Sequence, residues 1–95
     1  NEARIYEFSS RREMQVLTGH ADAVNFADFS SDGRFLVTAS PDKTARVWDV
    51  ETGQQIYLLE GHQTDVRSAR FSPDGRLIVT ASHDRTARIW NARTG

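Results

Sequence analysis

A repeat of 42 residues is the feature that most restricts how this 95-residue chain can fold. Residues 1–53 align with residues 43–95 without a gap, and 23 of the 53 aligned pairs are identical. A unit of this size is one supersecondary element that cannot bury its apolar surface alone. The period therefore predicts an array of similar units that pack against one another.

The sequence of each repeat predicts short strands that are separated by tight turns. The turns carry Asp32-Gly33 and Asp74-Gly75, and Asp-Gly is a strong hairpin signal because glycine adopts positive φ at little cost. Residues 35–37 are apolar in succession, which is typical of a strand buried on both faces. No segment shows a helical period, so the predicted fold class is all-β. The predicted strands are 13–17, 24–29, 35–37, 44–48, 55–59, 66–71, 77–79 and 86–90.

The composition argues against several classes of function. A net charge of −1 gives no electrostatic basis for binding nucleic acid or an anionic membrane surface, so neither is expected as a partner. The absence of cysteine excludes disulfides and thiolate metal sites. Two of the three histidines stand at equivalent positions in neighbouring repeats, so each is expected to serve its own repeat. We therefore expect no metal site and no cofactor.

Gly-His and Trp-Asp dipeptides recur near the two ends of the unit. Gly19-His20 and Trp48-Asp49 bound one complete copy, and Gly61-His62 and Trp90-Asn91 bound the next. An opening fragment has Tyr6-Glu7 at the Trp-Asp position. With this period and these motifs in register, the chain resembles the WD-repeat β-propeller family along its whole length.

The resemblance implies β-propeller blades of four antiparallel strands, in a ring that this chain leaves incomplete. Residues 1–18 would supply the last two strands of a preceding blade, residues 19–60 a complete blade, and residues 61–95 a blade without its outermost strand. Such a chain would expose two blade faces and unpaired strand edges. The stable form is therefore expected to be part of a longer propeller or a ring of several copies. In such a ring, residues 13–17 of one copy would complete the blade left open after Trp90 in another.

The resemblance also implies a structural hydrogen-bonded tetrad in each blade. In such a tetrad an Asp accepts from an imidazole, the imidazole accepts from a hydroxyl, and the hydroxyl accepts from an indole N–H. A hydroxyl, a His and an Asp also suggest a catalytic triad, but the set occurs twice at identical offsets, so no catalytic residues and no enzymatic activity are expected. The tetrads map onto His20, Thr38 (or Ser40), Asp42 and Trp48, and onto His62, Thr80 (or Ser82), Asp84 and Trp90.

A protein-binding face is expected on the rim around the central channel, where the resembled family makes many of its contacts. The corresponding positions differ between the two copies although the framework is the same, which suits either varied contacts or relaxed constraint. They are Ala23, Asn25 and Pro41 in one blade, and Asp65, Arg67 and His83 in the next.

The expected function is that of a non-catalytic protein–protein interaction scaffold, as a fragment of a larger WD-repeat propeller that binds proteins or peptides. One alternative is an amplified or engineered repeat array that assembles into a ring without a natural ligand. Another is a regulatory sensor propeller attached to a catalytic domain elsewhere on the full chain. The expected location is the cytoplasm.

The tetrad hypothesis makes a prediction for Asp42. We expect Asp42→Ala to destabilise the fold by roughly 1.5–3 kcal/mol, the range for hydrogen bonds to charged groups. Thermal unfolding measures the change, with Asp28→Ala as a surface control. Equal melting shifts for the two variants would remove this role for Asp42.

Overall fold

A computed structural model describes residues 2–6, 13–18 and 23–95, with side chains from residue 23 onward. The described part of the chain is all-β and antiparallel, and its sheets do not close into a ring. It contains no helix long and apolar enough to cross a membrane. Its strands are β1 Glu2–Tyr6, β2 Glu13–Thr18, β3 Phe26–Phe29, β4 Phe35–Ala39, β5 Thr44–Asp49, β6 Gln55–Glu60, β7 Val66–Phe71, β8 Leu77–Ser82 and β9 Ala87–Asn91.

The strands form three sheets, each a full or partial propeller blade. The order is β1-β2 in the first sheet, β3-β4-β5-β6 in the second and β7-β8-β9 in the third. Every neighbouring pair is antiparallel and consecutive in the chain, so each sheet is a meander. The strands thus fall within the predicted segments 1–18, 19–60 and 61–95.

The Asp-Gly turns adopt the backbone that the sequence predicts. Gly33 and Gly75 have φ of 73° and 74°, a region that glycine enters without steric cost. The N–H of Gly33 donates to the carbonyl of Ser30 at 2.9 Å, and the N–H of Gly75 donates to that of Ser72 at 2.9 Å. The two copies therefore end their first strands in the same way.

The second strand of each blade is longer than predicted. The predicted segments stopped at residues 37 and 79, whereas β4 continues to Ala39 and β8 to Ser82. The predicted segments contain only the successive apolar residues, and a hydroxyl is costly to bury without a partner. Both threonines are fully buried, and each accepts a hydrogen bond from a tryptophan indole.

The main core lies between the second and third sheets. Strand β7 covers one face of β4 and β5, and the side chains at this junction are almost fully buried. The cluster contains Val37, Ala39, Ala45, Val47, Leu59, Val66, Ala69 and Ile78. A smaller cluster of Leu36 and Trp48 lies on the opposite face of the second sheet. Each blade therefore stabilises its neighbour by covering an apolar face.

Backbone strain at the second turn of each blade leads to a prediction. Lys43 has φ of 78° and Arg85 has φ of 69°, and a residue with a Cβ pays about 1–2 kcal/mol in this region. We expect Lys43→Gly to raise the free energy of unfolding by up to about 1 kcal/mol, because part of the gain is offset by the greater entropy of unfolded glycine. Chemical denaturation measures the change.

Lys43→Ala is the matched control for this prediction. It removes the same exposed side chain but keeps a Cβ at the strained position. We expect no stabilisation from alanine. If Lys43→Ala stabilises the chain as much as Lys43→Gly, the backbone strain is not the cause.

Candidate functional site

A continuous hydrogen-bonded chain joins the predicted tetrad residues of the third sheet. The Nδ1 atom of His62 lies 3.0 Å from Oδ2 of Asp84, and its Nε2 atom lies 2.7 Å from Oγ1 of Thr80. The indole Nε1 of Trp90 donates to the same Thr80 hydroxyl at 2.8 Å. The structure therefore brings together four residues from a segment of 29 positions, His62 to Trp90.

The donor and acceptor roles in this series of hydrogen bonds follow from the two groups at its ends. An ionised carboxylate can only accept and an indole N–H can only donate, so His62 donates from Nδ1 and the Thr80 hydroxyl donates to Nε2. The pKa of Asp84 is held well below its usual value, chiefly by hydrogen bonds from the Thr86 hydroxyl and the Gln63 N–H and also by the one from His62. Asp84 therefore stays an acceptor at neutral pH.

The first copy shows the corresponding bonds within the described residues. Trp48 Nε1 donates to Thr38 Oγ1 at 2.8 Å, with both side chains buried. Asp42 Oδ1 accepts from the N–H and the hydroxyl of Thr44, at 2.9 and 2.5 Å. His20 lies outside the described residues, so its place in this tetrad stays a prediction.

Threonine, and not serine, supplies the hydroxyl that binds the indole in both blades. The serines have a different role: Ser40 Oγ accepts from the N–H of Asp42 at 3.1 Å, and Ser82 Oγ accepts from that of Asp84 at 3.1 Å. Each serine therefore holds the turn that presents the aspartate.

Close packing explains the glycine of the Gly61-His62 motif. A Cβ at Gly61 would lie 3.1 Å from Nη1 of Arg88 and 3.4 Å from the Trp90 ring, and φ is +152°. A Cβ would strain the backbone and displace the Arg88 guanidinium by a few tenths of an ångström, whereas its contact with the Trp90 ring would be ordinary. Glycine therefore suits both the backbone conformation and the close approach of Arg88 at this position.

Thr44 and Thr86 belong to the site and were missed from the sequence. Each hydroxyl donates to Oδ1 of the aspartate two residues earlier, Asp42 or Asp84. The signal was available, because Thr44 and Thr86 are one of the identical pairs of the repeat alignment. A hydroxyl two residues after an aspartate in a tight turn is well placed to bond it.

Three of the predicted rim residues form one cluster at the opening of β7. Arg67 Nη1 contacts His83 Nε2, and Asp65 lies 3.9 Å from both the Arg67 guanidinium and the His83 ring. The His83 N–H donates to the carbonyl of Asp65 at 3.3 Å. Because arginine only donates, the contact leaves Nε2 of His83 as the acceptor. The Arg67 and His83 side chains are 53% and 60% exposed.

The rim residues of the first copy stand next to this cluster. Asn25 Nδ2 donates to the carbonyl of Val66 at 3.2 Å, and the N–H of Val66 donates to the Ser40 carbonyl at 2.9 Å. Pro41 follows Ser40 in the turn and is half-buried, whereas Ala23 and Asn25 are exposed. The structure thus places the two halves of the predicted rim at one end of adjacent sheets. Whether a partner contacts this rim stays a prediction.

Asp28 is not the inert surface residue that the sequence suggests. Its Oδ2 atom accepts from the N–H of Phe71 in the neighbouring sheet at 3.1 Å. Asp28→Ala therefore removes a bond between blades and is unsuitable as a control for Asp42→Ala. The exposed Glu60 is the better control position. Strand periodicity shows on which face Asp28 lies but not which backbone group faces it.

The part of the chain that the structure describes contains no group of three or more His, Asp or Glu side chains arranged to hold a metal ion. Thr38 and Thr80, the hydroxyls that a catalytic triad would need, are fully buried. A substrate in solution has no access to either oxygen. The site is therefore built to fix a strand and a turn.

The sequence model of the family described as WD domain, G-beta repeat matches residues 11–49 and 53–91. These two matches cover most of the chain, which therefore belongs to the WD40 repeat family. Comparison with curated proteins gave no match. Each family unit contains the outer strand of one sheet and three strands of the next, namely β2–β5 and β6–β9. Repeats of this family are generally non-catalytic, and domains built from them typically serve as scaffolds for protein interaction.

The buried Thr80 hydroxyl gives a test of the tetrad. Thr80→Val leaves the Trp90 N–H and the His62 Nε2 without their partner, so we expect a loss of about 1–3 kcal/mol in the free energy of unfolding. Chemical denaturation measures it. Thr94→Val, at an exposed position, is the matched control and is expected to change stability by less than about 0.5 kcal/mol.

A double-mutant cycle that combines Thr80→Val with Trp90→Phe distinguishes the effect of the Trp90–Thr80 hydrogen bond from that of side-chain packing. If the hydroxyl and the indole act through their shared hydrogen bond, the double variant loses less stability than the sum of the single variants. Additive losses would show that the two residues stabilise the blade independently.

Proposed function

We propose that this chain is a non-catalytic scaffold that binds a protein or peptide at the rim formed by Asp65, Arg67 and His83. Ala23, Asn25 and Pro41 extend the same surface onto the neighbouring blade. The observation that carries the proposal is the Arg67–His83–Asp65 cluster, whose arginine and histidine are more than half exposed, at the hydrogen-bonded start of β7. Exposed side chains on a rigid framework are typical of binding sites.

The chemistry of the cluster suits a partner with carboxylate or carbonyl groups. Arg67 and His83 are more than half exposed, whereas Asp65 is 29% exposed and faces both of them. The accessible groups are thus mainly the guanidinium and the imidazole. Arginine is enriched in interface hot spots because its planar donors bind carboxylates in pairs.

Hydrogen bonds to the backbone hold the rim in place, and most of them do not involve the side chains of the rim residues. Ser82 Oγ donates to the carbonyl of Asp65 at 2.9 Å, and Val66 is bonded through its N–H to Ser40. The side chains at positions 65 and 83 can therefore differ from those at 23 and 41 without disturbing the strands, whereas Asn25 also bonds the neighbouring blade through its side chain. A scaffold in which each blade offers different contacts needs this independence.

The buried tetrads support a scaffold and argue against a hydrolase. A catalytic hydroxyl has to reach a substrate, and the Thr80 hydroxyl is fully buried between His62 and Trp90. The same arrangement of Trp48 and Thr38 in the first copy marks it as part of each blade.

A charge-reversal experiment tests the proposed rim. The double variant Arg67→Glu, His83→Ala is expected to lose partners that the unmodified chain retains in a pull-down, because it replaces a donor with an acceptor and removes the imidazole. Quantitative mass spectrometry of the bound proteins measures the loss. Unchanged binding to every recovered partner would show that this face is not the binding site.

Arg76→Glu is the matched control. Arg76 is exposed and lies at the opposite end of the same two strands, beside the Asp74 turn. Arg76→Glu therefore makes the same change of charge as Arg67→Glu, but at a distance from the rim. Partners lost from both variants would indicate a general effect of net charge.

A further inference from the structure

The apolar residues at the junction between the second and third sheets recur one repeat later in the sequence, but there they are not covered by another sheet. In the second sheet, Val37, Ala45 and Val47 are 0–2% exposed because β7 lies over them. The equivalent residues of the third sheet, Val79, Ala87 and Ile89, form a bare apolar face together with Leu77, which stands at the position of the half-buried Phe35. Leu77 and Val79 are each 42% exposed, and Ile89 is 69% exposed.

The surface that would cover this bare face is present on the same chain. In the existing junction, β7 contributes the buried Val66 and Ala69 and the half-buried Phe71. The equivalent residues before and on β3 are Val24, Ala27 and Phe29, which we call the front face. Ala27 is exposed, and Phe29 is 49% exposed. The chain thus carries both halves of a second junction, one at each side.

Strands β1 and β9 are near-duplicates in sequence. Residues 3–6 read Ala-Arg-Ile-Tyr and residues 87–90 read Ala-Arg-Ile-Trp, and they lie two repeat lengths apart. Strand β1 pairs with β2 through Ala3↔Leu17 and Arg4↔Val16. Strand β5 pairs with β6 in the equivalent register, and both pairs have an irregularity after the third residue of this motif. By this equivalence, β1 occupies on β2 the place that β9 would take.

We propose that a second copy of this chain docks head-to-tail on the bare face. The front face of the second copy covers Leu77, Val79 and Ile89, as β7 covers Val37 and Val47 within the chain. Its strand β2 leaves β1 and pairs with the free edge of β9, which completes the four-stranded third blade. The proposal does not rest on partner binding at the rim, although Arg67 lies at the edge of both surfaces.

The polar contacts of the existing junction can be repeated in part. Val24 has a backbone N–H at the place of Val66, and Ser82 presents a carbonyl at the place of Ser40. Arg67 stands at the place of Asn25 and is likewise a donor. Arg70 replaces Asp28 and cannot accept an N–H, so one bond between blades is not repeated. The proposed junction therefore depends mainly on its apolar surface.

The association is heterologous, because one copy uses its bare face and the other its front face. Such contacts close into rings or continue as filaments, depending on the rotation between copies. Full pairing requires β2 to exchange β1 for β9, so strand β1 competes with association.

Sedimentation velocity on the full 95-residue chain over a concentration series tests the proposal. We expect species heavier than the 10.7 kDa monomer whose share increases with concentration. A folded monomer with a cooperative melt at all concentrations would overturn the proposal.

A matched pair of Ile→Glu variants locates the contact. Ile89→Glu lies on the bare face and is expected to weaken association at least tenfold, because a charge would be buried at the junction. Ile56→Glu makes the same change at a strand position that is 38% exposed and outside the proposed junction, and is expected to leave association unchanged. Equal effects of the two variants would contradict this location.

Mixing two defective variants tests the head-to-tail orientation. Ile89→Glu keeps an intact front face and Phe29→Glu keeps an intact bare face, so their mixture is expected to form a 1:1 dimer although neither variant associates alone. No dimer in the mixture, with circular dichroism showing both variants folded, would overturn the orientation.

Deletion of residues 1–6 tests the strand exchange, because it is expected to strengthen association where the previous variants weaken it. The deletion frees β2 from its five paired residues on β1, so we expect association to tighten by about tenfold or more. Unchanged or weaker association after the deletion would show that β1 does not compete with the second copy.

Discussion

Each blade of this fold has apolar faces that only a neighbouring blade can cover. Val37 and Val79 stand at the same position of the repeat, yet one is fully buried and the other is 42% exposed. The difference comes from β7, which lies over Val37 and has no counterpart over Val79 among the described residues. Burial of apolar area is the main favourable term in folding, so the stability of a blade depends on what lies beside it.

The hydrogen-bonded tetrad solves a separate problem within each blade. A tight turn with an aspartate must be held against the end of a sheet, where backbone pairing stops. His62 links Asp84 of this turn to Thr80 inside the sheet, and Trp90 satisfies the same hydroxyl from the next strand. The Asp84 pKa lies well below its usual value because the Thr86 hydroxyl, the Gln63 N–H and His62 donate to its charged form. The turn is thus fixed by buried groups, and its outer residues are free to vary.

Much of the fold and of the polar framework could be predicted from the sequence. The period predicts the blades, and the Asp-Gly turns predict the hairpins. The recurring His, Thr, Asp and Trp predict a set of residues that hydrogen bonds join in the third sheet. These features depend on local geometry or on a pattern that occurs twice. The serine alternatives could not be excluded in advance, because Ser40 directly follows β4 and lies only two residues from Thr38. Only the geometry shows which hydroxyl meets the indole.

Contacts between blades were much harder to predict. Asp28 has no identical counterpart in the repeat, and its partner is a backbone N–H 43 positions away. The cation–π contact of Arg70 with the Phe26 ring, 4.6 Å from the ring centre, likewise joins residues that differ between the copies. A repeat alignment identifies the residues that make the same contacts within every blade. It does not show how one particular blade meets the next, and these contacts make the junction specific.

The family unit and the structural blade differ by one strand, and this offset governs the ends of the chain. Each unit begins with the outer strand of one blade and continues with the three inner strands of the next. An array of such units therefore has an outer strand without its blade at one side and a blade without its outer strand at the other. Here β1 pairs with β2 and covers the first of these edges, whereas β9 is the edge strand of its sheet. An unpaired edge beside an apolar face favours strand addition, which is the basis of the proposed contact between β9 and the strand β2 of a second copy.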